Sequence, residues 1–449
     1  MIQRNQSCHI VKKGTIIKME NKLKLILNER EQTNNNNLGV PSYCTASDMV
    51  IKAVLDNSAK TGVACLVEAT ANQVNQFGGY TGMKPADFVN FVYGLADEVN
   101  CPHENIILGG DHLGPLTFIH LPEEEAMQLS KDLVREYVLA GFTKIHLDTS
   151  MKISSDSKDE MLPTETIARR GAILFSECMK AFDEIEDPNK VRPAFIIGSE
   201  VPIPGGATED EEGISVTKVA DFKDTIDTYN KVFAEVGYAE AMKDIVGLVV
   251  QPGVEFGDSQ VFMYEREPAK ELCEALKEYD GIFFEGHSTD YQTREALKEM
   301  VQDGIAILKV GPALTFRYRE ALFALSFMEK VLFAENECAN FMETLEKVMM
   351  EKPENWQKHL HGTDHEKAIA RRYSYSDRAR YYFADPEVKA SIDKLLANFR
   401  GIEIPMNVLH QFMPNQYQKV IRGQLANELE SLLFDSIMEI AGDYEYACH

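Results

Sequence analysis

The segment Gly109-Gly110-Asp111-His112 places two groups capable of chemistry side by side, directly after a pair of glycines. An aspartate can accept a proton as a general base, and the adjacent imidazole can bind a divalent metal ion. The glycines allow a ligand to approach the backbone closely. We therefore expect Asp111 to be catalytic and His112 to be a metal ligand, although such residues also cap helices and stabilise loops.

Carboxylates and another histidine follow apolar runs further along the chain. We expect Glu200 and Glu285 to be catalytic and His287 to belong to the same site. A structural network of ion pairs is the alternative interpretation of these residues. Nine other polar residues or glycines in similar positions are candidates for substrate binding. They are Glu68, Gln73, Gly79, Asp148, Gln251, Ser288, Asp290, Lys309 and Gly311.

Two interpretations are open for Lys309, and two for Asp148 together with the nearby His146. Lys309 could form a Schiff base with a carbonyl substrate, but an ion pair with a neighbouring carboxylate is the interpretation we favour. His146 alternates with Asp148, so both side chains point to the same side of a strand. That pair would either orient a metal ligand or fill a polar layer.

The elements that position these residues are short apolar runs with helical patterns between them. This alternation predicts a (β/α)8 TIM barrel, in which reacting groups lie where strands end and the following loops begin. A doubly wound open sheet is the structural alternative. The eight runs span residues 39–45, 63–70, 105–111, 142–148, 194–200, 245–251, 281–286 and 304–310.

The chain divides into three predicted parts. Residues 1–38 form an N-terminal extension and lead-in, in which Met19 is an alternative start; 39–335 form the barrel, and 336–449 form a helical region. That last region contains RRYSYSDRARYY, which packs four arginines and four tyrosines into one segment. A helix face that packs on the barrel is one interpretation, and a phosphate or partner anchor that includes Arg378 is the other.

Composition limits the classes of partner. There are 46 Lys and Arg against 71 Asp and Glu, a formal net charge of -25 that repels nucleic acid and anionic membranes. We therefore expect neither as a partner. The eight cysteines contain no C-x-x-C pair, and no window is apolar enough to span a membrane. Reduced thiols predict a cytoplasmic protein.

These residues lie in longer segments that resemble a known family, the Z-type subunit of bacterial class II D-tagatose-1,6-bisphosphate aldolase. It is also called the aldolase accessory or tagatose 6-phosphate kinase-like family. The resemblance extends from about residue 39 to the C-terminus, and the first 38 residues lie largely outside it. The segments are EATANQVNQFGGYTGM, ILGGDHLGP, AGFTKIHLD, SEVPIPGGA, LVVQPGVEF, HSTDYQT, ILKVGPALTF and YSYSDRARYY.

The resemblance implies a metal site with one departure. Class II aldolases pair an aspartate base with a zinc-binding histidine after strand 3, as Asp111 and His112 do here. Their other two zinc ligands are histidines of strands 6 and 7. Here strand 6 is followed by Glu255 and has no histidine, while strand 7 offers Glu285 and His287. We therefore expect one of two arrangements. Either His112, Glu255 and His287 form a mixed site for Zn²⁺ or Mn²⁺, or the chain has no metal site.

Three functions remain as hypotheses. The resemblance implies a component that supports cleavage of tagatose 1,6-bisphosphate together with a Y-type catalytic subunit, in an oligomer that binds a phosphorylated ketohexose. The second is a free-standing metal-dependent ketose 4-epimerase or aldolase, and the third is a non-enzymatic structural barrel. A kinase is not predicted, because the sequence has no G-x-x-x-x-G-K-[ST] segment.

Overall fold

A computed structural model of the chain describes residues 20–199 and 214–449. Eight parallel strands close into a barrel in which β1 pairs with both β2 and β8, which confirms the predicted TIM barrel and rules out the open sheet. The strands are β1 Val40–Cys44, β2 Cys65–Thr70, β3 Ile106–Leu113, β4 Lys144–Leu147, β5 Ala194–Ile197, β6 Ile245–Val250, β7 Phe283–Gly286 and β8 Ile305–Val310.

The helices lie outside the barrel and in the C-terminal region. A short antiparallel pair, Glu255–Phe256 with Val261–Phe262, follows β6. The α-helices of the described residues are α1 Lys22–Thr33, α2 Asp48–Thr61, α3 Pro85–Glu98, α4 Glu123–Leu139, α5 Thr164–Glu184, α6 Val219–Glu235, α7 Arg266–Leu276, α8 Arg294–Gln302, α9 Pro312–Leu332, α10 Phe341–Glu351, α11 Asp364–Tyr373, α12 Pro386–Phe399, α13 Met406–Phe412, α14 Pro414–Ile421 and α15 Leu429–Cys448.

The interior of the barrel is apolar near the start of the strands and charged near their ends. Side chains such as Leu66 on β2 and Ile107 on β3 form the apolar layer, together with Leu23 and Leu27 of α1. Helix α1 therefore covers the N-terminal end of the barrel. Because inward positions recur every second residue, Glu68 follows Leu66 on the inner face and lies in the charged layer.

The C-terminal helix α15 forms part of the barrel wall. It packs against α2, α8 and β1. The hydroxyl of Tyr444 donates to the carbonyl of Thr289, and the amide of Gly39 donates to the carbonyl of Cys448. The helical tail is therefore integrated with the barrel, and the last helix of the chain lies beside the first strand.

The described residues also show the state of the cysteines and the character of the longer helices. Seven cysteines are described, and all are free thiols, while Cys8 lies outside the described residues. Within the described ranges, each helix lacks either the length or the apolar run that crossing a bilayer requires.

Candidate active site

The charged layer of the barrel consists of Glu68, Lys144, Glu285 and Lys309, which come from β2, β4, β7 and β8. The Lys144 ammonium lies 2.8 Å from Glu68 Oε2 and 2.9 Å from Glu285 Oε2. The Lys309 ammonium lies 3.2 Å from Glu68 Oε2, and all four side chains are buried. Each carboxylate thus has at least one ammonium partner, and Lys309 takes part in the ion pairing that we favoured over a Schiff base.

Asp111 connects this charged layer to the histidines. Its Oδ2 atom lies 3.0 Å from the Lys309 ammonium, and its Oδ1 atom lies 2.8 Å from His146 Nδ1. Burial alone would raise the pKa of Asp111, but the charges of His112 and Lys309 outweigh burial and hold the pKa well below its usual range. Asp111 is therefore a carboxylate at neutral pH.

Three imidazoles, His112, His146 and His287, face one another and form what we call the histidine triangle. Their ring centres are 5.3 Å apart for His112 and His146, 5.1 Å for His112 and His287, and 5.2 Å for His146 and His287. Imidazoles that share one tetrahedral zinc, with Zn–N bonds of about 2.0 Å, have ring centres roughly 5 Å apart. The triangle therefore has the dimensions of a site for a single metal ion.

In each imidazole of the triangle, one ring nitrogen lies within hydrogen-bond distance of a carboxylate. His112 Nδ1 lies 2.7 Å from Asp148 Oδ2, and His287 Nε2 lies 2.9 Å from Glu285 Oε1. The third pair is His146 Nδ1 with Asp111, and the Nε2 atom of His146 is buried without a hydrogen-bond partner. Carboxylates that hold the second nitrogen of a histidine in this way are characteristic of metal-binding histidines.

Other donor atoms and the local charge also fit a divalent cation. Ligand atoms of Asp111, His146, Glu285 and His287 all lie within 4.8 Å of one another, and the predicted ligand His112 is not a member of this group. The buried carboxylates are those of Glu68, Asp111, Asp148 and Glu285, and the buried ammonium groups are those of Lys144 and Lys309. The net charge of the cluster is therefore minus two if the histidines are neutral and minus one if His112 is protonated. Burial lowers the pKa of His287 to about 3, so this imidazole is neutral. The described residues thus contain an acid and histidine cluster that can hold a metal ion.

A cavity opens above this cluster at the C-terminal end of the barrel, where Asp111 and His112 lie in its wall. Of the predicted substrate-binding residues, five line the cavity. They are Gln73, Ser288, Asp290, Lys309 and Gly311. Asp290 also caps α9, because its Oδ1 accepts hydrogen bonds from the amides of Gly311 and Ala313. Burial outweighs these hydrogen bonds and raises the pKa of Asp290 to about 6.

Seven of the described predicted site residues are not in the wall of this cavity. Glu68, Asp148 and Glu285 lie beneath it, in the charged layer or beside the histidine triangle, and four others lie elsewhere. The side chain of Gln251 accepts from the amides of Gly253 and Val254 and so stabilises a turn. Gly79 is left-handed, with φ +56°, and a Cβ there would lie 2.3 Å from the carbonyl oxygen of Gln73, so the turn has no space for a side chain at this position. Glu255 and Arg378 are the other two.

Glu255 was predicted to bind the metal but belongs to the short antiparallel pair after β6. Its Oε1 accepts from the amide of Phe256, and it is not a member of the four-residue metal cluster. His146 of β4 belongs to that cluster in its place. Glu200, predicted to be catalytic, lies outside the described residues.

Sequence reasoning missed several residues of the cavity wall. Arg380, two positions after the predicted Arg378, lines the cavity together with Tyr381 and Tyr80. Arg380 and Tyr381 come from the segment RRYSYSDRARYY, which the sequence indicated as a candidate phosphate or partner anchor. The composition therefore identified the segment, but Arg378 was selected from it instead of Arg380. Lys144 was also missed, although its alternation with His146 along β4 places it on the same inward face.

The fold and the site define a (β/α)8-barrel protein with a cluster of carboxylates and histidines at the C-terminal ends of its strands, suited to a divalent cation. The chain belongs to the D-tagatose-1,6-bisphosphate aldolase subunit GatZ/KbaZ-like family, whose model matches residues 23–449. This confirms the family resemblance, with one correction: the match also includes α1, which had been placed outside it.

Individual relatives agree with this assignment. The D-tagatose-1,6-bisphosphate aldolase subunits GatZ of Salmonella agona (strain SL483) and Salmonella typhimurium (strain LT2) are each 42% identical over 411 residues, which cover 92% of this chain and 96% of each relative. The crystal structure of a probable tagatose 6 phosphate kinase from Sinorhizobium meliloti 1021 is 41% identical. It covers 91% of this chain and 100% of its own, with a TM-score of 0.83.

Proposed function

We propose that this chain is the Z-type component of a class II D-tagatose-1,6-bisphosphate aldolase and that it acts with a Y-type catalytic subunit. Its membership of the GatZ/KbaZ-like family and its similarity to relatives named as aldolase subunits support this proposal. The structural observation that carries the chemical part is the histidine triangle, in which every imidazole is held by a carboxylate.

In our proposal the histidine triangle holds one divalent cation, Zn²⁺ or Mn²⁺. Glu285 lies close enough to His146 and His287 to be a further ligand, and Asp148 orients His112. A site built from three imidazoles with carboxylates around them suits either ion. When bound, the cation would supply Lewis-acid polarisation of the carbonyl and hydroxyl oxygens at C2 and C3 of a ketose.

The chain's own residues would handle the proton and orient the sugar. Asp111, ionised and in the wall of the cavity, would accept the proton of the C4 hydroxyl. The C3–C4 bond then breaks, its electron pair remains on C3 as an enediolate, and C4 becomes the aldehyde of glyceraldehyde 3-phosphate. Protonation of the enediolate at C3 gives glycerone phosphate. Ser288 and Gln73 line the same cavity and are proposed to bind sugar hydroxyls.

A second candidate is a free-standing ketose 4-epimerase or aldolase. The observation that favours it is that the carboxylates and histidines of the cluster all come from this one chain and already form a closely spaced set. If the aldehyde turned over before the C3–C4 bond formed again, the same groups would invert C4. The substrate in either case is a phosphorylated ketohexose. We propose an oligomer in the cytoplasm, which the free thiols of the described cysteines support.

The test uses the purified full chain, assayed on tagatose 1,6-bisphosphate with and without a Y-type aldolase, with bound metal measured in parallel. We expect the chain to stimulate the partner and to contain about one metal ion per chain. The Asp111→Asn variant keeps the shape of the side chain but removes the base, which typically costs about 10² to 10⁴-fold in rate.

The outcomes separate the candidates. Stimulation of the partner that survives Asp111→Asn, with no turnover by the chain alone, supports the Z-type component as an accessory without its own chemistry. Turnover or C4 inversion by the chain alone that Asp111→Asn abolishes supports the free-standing enzyme. If the folded chain neither stimulates a Y-type subunit nor converts a ketose phosphate, both proposals are wrong.

A further inference from the structure

The 3-10 helix Arg378–Tyr382, which we call the arginine turn, brings two arginines together beside the active-site cavity. The Arg380 guanidinium lies 4.5 Å from the ring centre of Tyr381, and the Arg378 guanidinium lies 5.8 Å from the same ring centre. Arg380 lines the cavity, while Arg378 is buried and is not part of the cavity wall. The cavity therefore has a positively charged side as well as the acidic cluster.

The arginine turn is held rigidly by contacts made just before it. Asp377 adopts a left-handed conformation, with φ +44°, and its carboxylate accepts hydrogen bonds from Arg319 and Thr315 of α9, both at 2.7 Å. Ser374 donates to the carboxylate of Asp258, in the loop after β6. These contacts tie the segment to the C-terminal end of the barrel, so the two arginines are positioned before any ligand binds.

Neither arginine of the arginine turn forms an ion pair among the described residues, although the Asp377 carboxylate lies near Arg380 and the Asp258 carboxylate lies near Arg378. Arg380 donates to the carbonyls of Ser376 and Asp377 and to the Tyr381 hydroxyl, the last two at 3.0 Å. The Nε atom of Arg378 is buried without a hydrogen-bond partner. The nearby carboxylates accept hydrogen bonds from other groups: Asp377 from Arg319, Asp290 from the amides that begin α9, and Asp258 from the hydroxyls of Ser374 and Ser376.

Two neighbouring guanidinium groups repel each other, and burial of an unpaired charge is unfavourable. A dianionic ligand would relieve both effects, and a guanidinium presents several N–H donors to phosphate oxygens at once. The acidic cluster in the same cavity is negative when no cation is bound and about neutral when a divalent cation is bound, so the arginine turn is the positively charged side where an anionic group can bind. A sugar that carries a phosphate at one end and hydroxyls at the other matches this division of charge.

We propose that Arg380, with Arg378 behind it, binds the phosphate group of a phosphorylated sugar whose hydroxyl-bearing end lies against the acid and histidine cluster. The identity of the sugar rests on the proposed function, whereas the phosphate site does not. Arg380 is thus a specificity-determining residue, which makes the chain favour phosphorylated over unphosphorylated ketoses.

The test is isothermal titration calorimetry on the full chain with three probes: inorganic phosphate, tagatose and tagatose 6-phosphate. We expect Arg380→Met to weaken binding of tagatose 6-phosphate by roughly 30-fold or more and to leave the affinity for tagatose unchanged. Arg380→Lys should fall between these values, because it keeps the charge and loses the fork of donors. The control is Arg372→Ala, in the same segment but paired with Glu346 and half exposed.

A folded Arg380→Met chain that binds tagatose 6-phosphate as the parent does would overturn the inference. If that variant fails to fold, as judged by circular dichroism, a crystal structure of the parent chain with inorganic phosphate decides. Phosphate bound to Arg380 supports the inference, and its absence at saturating concentration overturns it. If Arg380→Met loses tagatose 6-phosphate binding but the parent chain neither stimulates a Y-type subunit nor converts a ketose phosphate, the proposed function is wrong and the phosphate site stands. If the parent chain is active and Arg380→Met binds as the parent does, the phosphate site is wrong and the proposed function stands.

Discussion

At the scale of single residues, the site depends on how each imidazole of the histidine triangle is held. A histidine that gives one ring nitrogen to a carboxylate has its tautomer and its orientation fixed, and its other nitrogen is free to bind a metal ion. The pairs use three separate carboxylates, those of Asp148, Asp111 and Glu285. Because the partners are separate, the loss of one imidazole should leave the other two in place.

The first prediction concerns His146, whose buried Nε2 atom has no hydrogen-bond partner. We expect His146→Ala to weaken metal binding more than about 100-fold, because even removal of a residue that only holds a ligand costs 10 to 100-fold. The measurement is metal content by mass spectrometry after dialysis against a weak chelator. The circular dichroism spectrum should stay that of a folded barrel.

The matched control is His103→Ala, since His103 lies on the protein surface and pairs with Asp97. It should keep the full metal content of the parent chain. Equal metal content in the parent and in His146→Ala would show that the ligands lie elsewhere, and the histidine triangle would then be a structural polar layer of the barrel.

At this scale some residues of the site could be predicted and others could not. Asp111 and His112 stand next to glycines at a strand end, which is a local signal. The metal-ligand prediction for Glu255 followed sequence distance from β6, but the chain turns there into the short antiparallel pair. A turn of that kind redirects a side chain without any change in local composition, so the sequence could not reveal it.

At the scale of elements, the neighbouring strands β2 and β3 fit together through one glycine. Glu68 on β2 is paired in register with Gly109 on β3. A Cβ atom at Gly109 would lie 2.6 Å from the Glu68 Cγ atom and 2.8 Å from its Cδ atom. The glycine therefore provides the space in which the Glu68 carboxylate meets both lysines of the charged layer.

The second prediction is that Gly109→Ala lowers the free energy of unfolding by about 1 to 3 kcal/mol, as overpacking of a filled interior typically does. The Glu68 carboxylate must move, so its ion pairs with the charged layer should weaken as well. Chemical denaturation of the metal-free chain measures the change. The control is Gly94→Ala on the exposed side of α3, where an added Cβ has no neighbour within 4 Å and should stabilise the helix slightly. Equal stability of Gly109→Ala and the parent would contradict the packing argument.

The elements of the barrel were predictable because their apolar runs and helical patterns alternate regularly. The contacts of the tail were not. Helix α15 reaches the barrel wall through contacts between residues far apart in sequence, such as Tyr43 with Glu445. Whether Arg378 or Arg380 faces the cavity depends on the left-handed conformation of Asp377, which breaks the helical periodicity. Composition identified that segment but could not identify the residue that lines the cavity.

At the scale of the whole molecule, segments from opposite ends of the chain cover the two ends of the barrel. Helix α1 covers the N-terminal end, where the Asn21 side chain donates to the carbonyls of Thr143 and Arg192. The arginine turn from the C-terminal region lies at the other end, beside the cavity. The stability of the barrel and the composition of its site thus depend on residues outside the βα repeats.

The last prediction separates α1 from the residues that precede it. We expect deletion of residues 1–18 to leave the association with a Y-type aldolase and the melting temperature unchanged, because the family match begins at residue 23 and the deletion retains α1 with its Asn21 contacts. Deletion of residues 1–33 should instead destabilise the chain strongly. It removes Leu23 and Leu27 from the apolar layer, and it removes the hydrogen bond that Arg30 donates to the carbonyl of Val301. Loss of one large apolar core side chain alone costs about 2 to 5 kcal/mol.

Co-purification with a tagged Y-type subunit and thermal denaturation measure both deletions. The shorter deletion should behave as the parent chain does, and the longer one should melt at a lower temperature or fail to fold. If the chain without residues 1–18 is folded but no longer co-purifies with the partner, those residues contribute directly to the interface. The Y-type subunit would then bind near the N-terminal end of the chain as well as to the barrel or the helical tail.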